Sequence, residues 1–421
     1  MNTQTFGIQI DDGSELFSDF SMKENNKRVV LFDWQQRGID YFFESNKVIY
    51  QAATGTGKSV LAIEIIKKIW DIDPKCSVLI VVPKNVILED TWYKELYDGG
   101  INIPDIGVYY GKIKEYAKVT ITNVQNIVNV DLTKFRCLII DECHNVTQRI
   151  YDIITQKDWD YLMGLSATFE RRDNKHWKLA KLFDYNIFNY TPRQALADHV
   201  LNPFNFTSIG VEMDEDSYAQ YIELTQQLNL IFKTYGTFSH IIKANLGVKN
   251  KMLFLFSKRK QLLSNYKRKL DVAQKLCKKH NGEKIIIFNN YNEQTNAAYW
   301  HLLESGVKAC IVHSSVDTKK RDQNMIDFKK GKYNVMLTSK VLDEGYNLPK
   351  ISIGIIMAGD SVKRQMIQRM GRVLRRKKDP SELYQLYCKG TIEEVNAIEN
   401  NKFFKELCTI YNEQIYSLDD N

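Results

Sequence analysis

The sequence predicts an α/β protein of two doubly wound parallel-sheet domains in tandem, joined by a basic, mainly helical segment. Three observations predict it. Short apolar runs rich in Val and Ile recur along the chain, helical periodicities lie between them, and the rhythm breaks once at a lysine-rich stretch before it resumes. Runs of this length suit strands buried on both faces of a parallel sheet. Their alternation with helices supplies the crossovers that such a sheet needs.

Residues 1–28 read as an extension; Asp11, Asp12 and Glu15 and the lack of any basic residue before Phe17 speak against a secretory signal. The first domain is expected over 29–192, with strands at Val48–Tyr50, Val78–Val82, Val119–Thr122 and Cys137–Ile140. Between the first two, Leu61, Ile65 and Ile69 mark one face of a helix from Val60 to Trp70. The connecting segment is expected over 193–280. From Lys249 to Lys284, twelve Lys and Arg face only Asp271 and Glu283, a local net of +10 on a chain whose total is +7. Leu262, Leu263, Tyr266, Leu270, Ala273 and Leu276 give this stretch an amphipathic helical spacing. The second domain, 281–408, repeats the strand signal at Lys284–Phe288, Cys310–His313, Val335–Leu337 and Ile351–Met357, and 409–421 reads as a tail.

Composition bounds the function. With 421 residues, 44% hydrophobic and 26% charged, the chain is globular rather than disordered or fibrous. No apolar run approaches the ~18 residues of a membrane span. Seven scattered cysteines form no CxxC pair, which argues against a disulfide framework or structural zinc. A reducing cytoplasm is the expected setting, the host's if the chain is phage-encoded.

Ala52-Ala53-Thr54-Gly55-Thr56-Gly57-Lys58-Ser59 follows a predicted strand and opens a predicted helix. Gly55, Thr56 and Gly57 can turn backbone N–H groups inward as an anion nest at a helix N-terminus. Lys58 would reach β- and γ-phosphates and Ser59 a Mg²⁺ ion. Asp141-Glu142-Cys143-His144 ends the run Leu138-Ile139-Ile140, at the sheet edge where such folds bind ligands. Asp141 suits the Mg²⁺ shell, and Glu142 suits orienting or deprotonating a water. Together the two motifs predict nucleotide hydrolysis.

These motifs, with Ser166-Ala167-Thr168, Leu342-Asp343-Glu344-Gly345-Tyr346-Asn347-Leu348-Pro349 and Gln368-Arg369-Met370-Gly371-Arg372-Val373-Leu374-Arg375, resemble superfamily 2 helicases of the DExH type over most of the chain. The resemblance implies two RecA-like domains with ATP and Mg²⁺ in the cleft between them. It implies that Arg372 and Arg375 stabilise the transition state, Gly345 contributes to the nucleotide site, and Gln35, after Leu31-Phe32-Asp33-Trp34, reads adenine. It assigns coupling to His144, Ser166, Ala167, Thr168 and Gln368. Strand contacts are implied for Pro83 and Lys84 with Thr91 and Trp92, for Thr122 and Asn123, and for Asn289, His313, Ser314 and Thr338. Asn347 stands where many relatives carry Asp.

Gly164 to Asp173 resembles the extended run of XPB-like DNA helicases, phage branch-migration helicases of the UvsW type and restriction-enzyme translocases. The expected substrate is therefore branched or forked DNA, gripped without sequence reading, and the expected state is a monomer. Lys258, Arg259, Lys267, Arg268 and Lys269 are the candidates for holding a duplex arm. An RNA helicase, or a nucleic-acid-binding module without unwinding activity, remains as the alternative.

Overall fold

The computed structural model describes residues 30–83, 92–169, 176–244, 246–339, 348–349, 351–357 and 379–419. The described chain divides into two compact units, the first ending at Thr191 and the second beginning at Pro192.

In the first unit the strands are β1 (Lys47–Ala52), β2 (Val78–Val82), β3 (Ile106–Tyr110), β4 (Ile113–Lys114), β5 (Val119–Asn123), β6 (Cys137–Ile140), β7 (Tyr161–Ser166) and β8 (Ile187–Tyr190). They form one sheet in the order β4-β3-β5-β2-β6-β7-β1-β8, parallel except for the β3–β4 hairpin. Every residue of β2, β5 and β6 is buried, as the unbroken Val/Ile runs require of central parallel strands. Helices α1 (Asp33–Ser45), α2 (Lys58–Ile72), α3 (Lys94–Asp98), α4 (Gln148–Ile154) and α5 (His176–Leu182) accompany the sheet. Leu61, Ile65 and Ile69 are fully buried, so the helix read from their spacing is α2. Adjacent strands β6, β7 and β1 end side by side, with Gln51 in register with Ser166. That adjacency positions the site.

The second unit opens with α6 (Pro192–Ala197) and β9 (Phe204–Val211), then runs through α7 (Glu215–Tyr235), α8 (Phe238–Ala244), α9 (Leu246–Ser264) and α10 (Lys267–Lys279). It continues with β10 (Ile285–Phe288), α11 (Asn292–Glu304), β11 (Ala309–Val312), α12 (Thr318–Lys330), β12 (Val335–Thr338) and β13 (Ile353–Ile356). It closes with β14 (Ser381–Cys388), α13 (Ile392–Lys405) and β15 (Ile410–Tyr416). The sheet is parallel throughout, in the order β11-β12-β10-β13-β14-β9-β15.

Two segments carry more than their sequence suggests. The connecting segment is mainly helical, yet it begins with β9, an interior strand of the second sheet. The tail forms β15, which edges that sheet, with Tyr411 stacked on Phe206. Polar residues interrupt both runs, which hid them: Asn205, Thr207 and Ser208 in β9, Asn412, Glu413 and Gln414 in β15.

The basic stretch is two helices rather than one. Leu263, Tyr266, Leu270, Ala273 and Leu276 enter the core of the second unit. Leu228, Ile231, Ile241, Met252 and Leu255 of α7–α9 form a small separate cluster.

Candidate nucleotide and coupling site

The loop leaving β1 turns through Gly55 (φ +86°) and Gly57 (φ +90°), angles that only glycine adopts freely, and delivers Lys58 as the first residue of α2. Side-chain atoms close the loop: Thr56 Oγ1 donates to the Ala53 carbonyl at 2.7 Å, and Lys58 Nζ donates to the Ala52 carbonyl at 2.8 Å. The Thr54 hydroxyl is buried without a partner. An orphaned hydroxyl beside a glycine nest on a fifteen-residue helix fits a phosphate group.

Gln35 is placed differently from the sequence expectation. Its amide oxygen accepts from the Phe32 N–H and its amide nitrogen donates to the Gly57 carbonyl, both at 2.9 Å. Buried and engaged at both ends, Gln35 braces the phosphate loop. A Cβ on Gly57 would stand 2.7 Å from the Gln35 amide nitrogen, so the brace also demands glycine there.

At the end of β6, Asp141 is half-buried. Burial raises its carboxyl pKa, while a hydrogen bond from Trp92 and the nearby Lys58 charge work in the opposite direction. Glu142 holds φ +45°, rare for a residue with a side chain and worth on the order of 1–2 kcal/mol of strain. The turn carries His144 beneath the end of β7, where its Nδ1 lies 2.8 Å from Ser166 Oγ and 3.3 Å from Glu142 Oε2. Ser166 Oγ donates onward to the Thr168 carbonyl at 2.7 Å. Glu142, His144, Ser166 and Thr168 thus form one connected path, with Ala167 buried within it.

Ser59 and Asp141 offer hydroxyl and carboxylate oxygens, the hard donors that suit Mg²⁺, and a cation would favour the ionised form that burial disfavours in Asp141. Among the described residues no cluster of three or more His, Cys, Asp or Glu could hold a metal by itself. Lys84, Thr91, Gly345, Asn347, Gln368, Arg372 and Arg375 lie outside the described residues.

The residues expected to contact the strand stand at β-strand ends. Thr122, Asn123, Asn289, His313 and Thr338 are all buried. Thr122 Oγ1 donates to the Tyr109 carbonyl, Asn123 Oδ1 accepts from the Gln125 and Asn126 N–H groups, and Thr338 Oγ1 donates to the Ser339 carbonyl. The His313 ring meets Asn296 Oδ1 through Nε2 and accepts from the Ser315 N–H through Nδ1. The Thr122, Asn123, His313 and Thr338 side chains shape strand-end turns, whereas both amide atoms of the buried Asn289 side chain have no hydrogen-bond partner; Pro83, half-buried, follows β2.

Lys269 is also corrected. It is fully buried, with Nζ 2.9 Å from both carboxylate oxygens of Glu393 on α13. Burial, the largest single influence, pulls its pKa down, and the Glu393 charge, the Cys388 thiol and the hydrogen bond to Glu393 together hold the ammonium above its ordinary value. Arg268 donates to the Ser417 carbonyl, and Arg259 lies over the Tyr221 and Phe256 rings. Lys258 and Lys267 are exposed, as is Lys260, which the sequence does not single out. Trp92, grouped in the sequence with the strand contacts, meets the nucleotide motif. The residue is 1% exposed and its indole N–H donates to Asp141.

Residues 27–171 match the family described as type III restriction enzyme, res subunit, and residues 268–377 match the helicase conserved C-terminal domain. A DNA 3'-5' translocase XPB2 of Sulfurisphaera tokodaii is 26% identical over 383 residues, covering 87% of this chain and 83% of the relative. A DNA 3'-5' helicase XPB of Mycobacterium tuberculosis is 20% identical over 391 residues, covering 89% of this chain and 64% of the relative. A putative DNA 3'-5' helicase Rad25 of Haloarcula marismortui is 23% identical, and the chain spans 54% of its length. The crystal structure of the Pyrococcus furiosus Hef helicase domain superposes with a TM-score of 0.63 at 16% identity, over 88% of this chain and 98% of that one. A restriction-enzyme res-subunit match followed by a helicase C-terminal match, with DNA helicase relatives along most of its length, places the chain among the superfamily 2 helicases.

Proposed function

We propose that the chain is an ATP-dependent DNA helicase or translocase that moves 3' to 5' and remodels branched DNA such as forks and junctions. The observation that carries this reading is the convergence at the ends of β1, β6 and β7. There the phosphate loop, the Asp141–Glu142 pair and the His144–Ser166 contact occupy adjacent strands of one sheet. ATP phosphates would take the loop N–H groups, and Lys58 would exchange its carbonyl partners for phosphate oxygens. Mg²⁺, held by Ser59 and Asp141, would neutralise charge on the β- and γ-phosphates. Glu142 would orient the attacking water and take its proton. His144 and Ser166 would report the state of Glu142 to Thr168. Arg372 and Arg375 are proposed to stabilise the transition state.

Support for a nucleic-acid substrate comes from the second unit. A polar cavity of about 510 Å³ is lined by Lys260, Asn292, Ser314, Ser315 and Ser339, groups that suit a sugar–phosphate backbone without reading bases. The names of the relatives favour DNA over RNA and supply the polarity. The free cysteines support action in a reducing cytoplasm. ATP hydrolysis measured with single-stranded, duplex, forked and junction DNA, and with RNA, tests the reading. Strongest stimulation by forks or junctions is expected. Stimulation by RNA alone would overturn the choice of DNA, and hydrolysis indifferent to any nucleic acid would overturn the motor.

A further inference from the structure

Both oxygens of the half-buried Asp141 carboxylate carry a hydrogen bond. Oδ1 accepts from the Glu142 backbone N–H at 2.9 Å, and Oδ2 accepts from the Trp92 indole N–H at 2.9 Å. The first donor is local and follows from the turn. The second comes from 49 residues away, out of the chain that follows β2. An indole nitrogen can only donate, so this hydrogen bond cannot reverse its polarity. Trp70 and Trp159 direct their N–H groups to backbone carbonyls, the ordinary satisfaction of a buried indole; Trp92 instead meets a carboxylate. Two N–H groups on different oxygens fix the plane of the carboxylate, and each oxygen keeps a lone pair for a further partner.

We propose that Trp92 is a positioning residue of the nucleotide site, which aims the Asp141 carboxylate so that it receives Mg²⁺ accompanying ATP. The inference rests on the ATPase reading above and deepens it. Trp92 touches neither nucleotide nor water in this role and acts through Asp141. Its contribution is therefore specific to the metal: losing the N–H weakens Mg²⁺-dependent nucleotide binding and leaves metal-free nucleotide binding alone.

Trp92→Phe in the full chain keeps an aromatic ring and removes the N–H. Binding of a fluorescent, non-hydrolysable ATP analogue is titrated with Mg²⁺ and, separately, measured in EDTA. The Mg²⁺ concentration for half-maximal tightening should rise about tenfold, the scale of one hydrogen bond to a charged group, with the EDTA affinity unchanged. An unchanged Mg²⁺ midpoint, or an equal loss in EDTA, would overturn the proposal. A second measurement does not depend on that variant folding. In ¹⁵N-labelled wild-type protein, one indole N–H resonance should shift on adding Mg²⁺ and nucleotide and should move in Asp141→Asn. If no indole resonance responds to Asp141→Asn, the proposal falls. Wild-type protein that binds no nucleotide even with Mg²⁺ would instead sink the ATPase reading, so the two failures are distinguishable.

Discussion

Glu142 occupies the left-handed region at φ +45°, between a carboxylate held by Trp92 and a histidine held by Ser166. A strained residue between two fixed neighbours persists only when its surroundings over-determine it. Glu142→Gln keeps the shape and removes the base, so turnover should fall by ~10²–10⁴ with nucleotide affinity retained; hydrolysis near the wild-type rate would refute the assignment. Lys269 and Glu393 make the opposite kind of pair, a charge couple with no substrate to serve. Lys269→Met leaves a buried carboxylate alone and should cost about 3–5 kcal/mol in denaturant unfolding. Adding Glu393→Leu should recover much of that loss, and a double variant as unstable as the single would contradict the pairing. The sequence shows Lys58, Asp141, Glu142, His144 and Ser166 plainly, because their spacing is tied to a strand end. It does not show the partners of Gln35, Trp92 and Lys269, because a long side chain's target is set by packing against residues 22, 49 and 124 positions away.

At the scale of elements, the helices of the basic stretch divide their charges between two tasks. Lys269 and Arg268 fasten α10 to α13 and to the chain beyond β15, whereas Lys258, Lys260 and Lys267 remain outside. Replacing these three lysines with Gln should weaken fork binding and flatten its salt dependence, by up to ~0.9 log unit for each duplex phosphate no longer neutralised. Basal ATP hydrolysis should stay unchanged, and fork affinity measured from low to moderate salt decides the matter. An identical slope would reduce the lysines to solubilising charges. Central strands were legible as apolar runs, since β2 and β6 are covered on both faces. β15 was not, since most of its residues are exposed at the sheet edge and carry polar side chains there.

For the whole molecule, the division at residues 191 and 192 gives each unit its own sheet and its own apolar core. Calorimetry should therefore resolve two unfolding transitions. ADP with Mg²⁺ should raise the one belonging to the first unit, by about 2.7 kcal/mol at a hundred times its Kd. A single transition moving as one body with ligand would show that the cores unfold together. The tandem α/β plan was legible because each sheet has its own series of Val/Ile strands. The reach of the second unit was not. β9 and β15 join that sheet from either side of the segments between β10 and β14, and nothing local in a strand names its distant neighbours.

The second sheet also bears on how such a protein could diversify. The chain leaves β9 at Val211, builds the α7–α9 cluster around its own few apolar residues, and returns through α10 to Ile285 in β10. Both anchor points belong to the same sheet. The part of that bridge whose apolar residues pack only among themselves, around Leu228, Ile231, Ile241, Met252 and Leu255, could therefore be exchanged for another, longer or differently charged, while α10 keeps its place in the core of the second unit. Substrate preference would then be an interchangeable attachment, inherited separately from the motor that carries it.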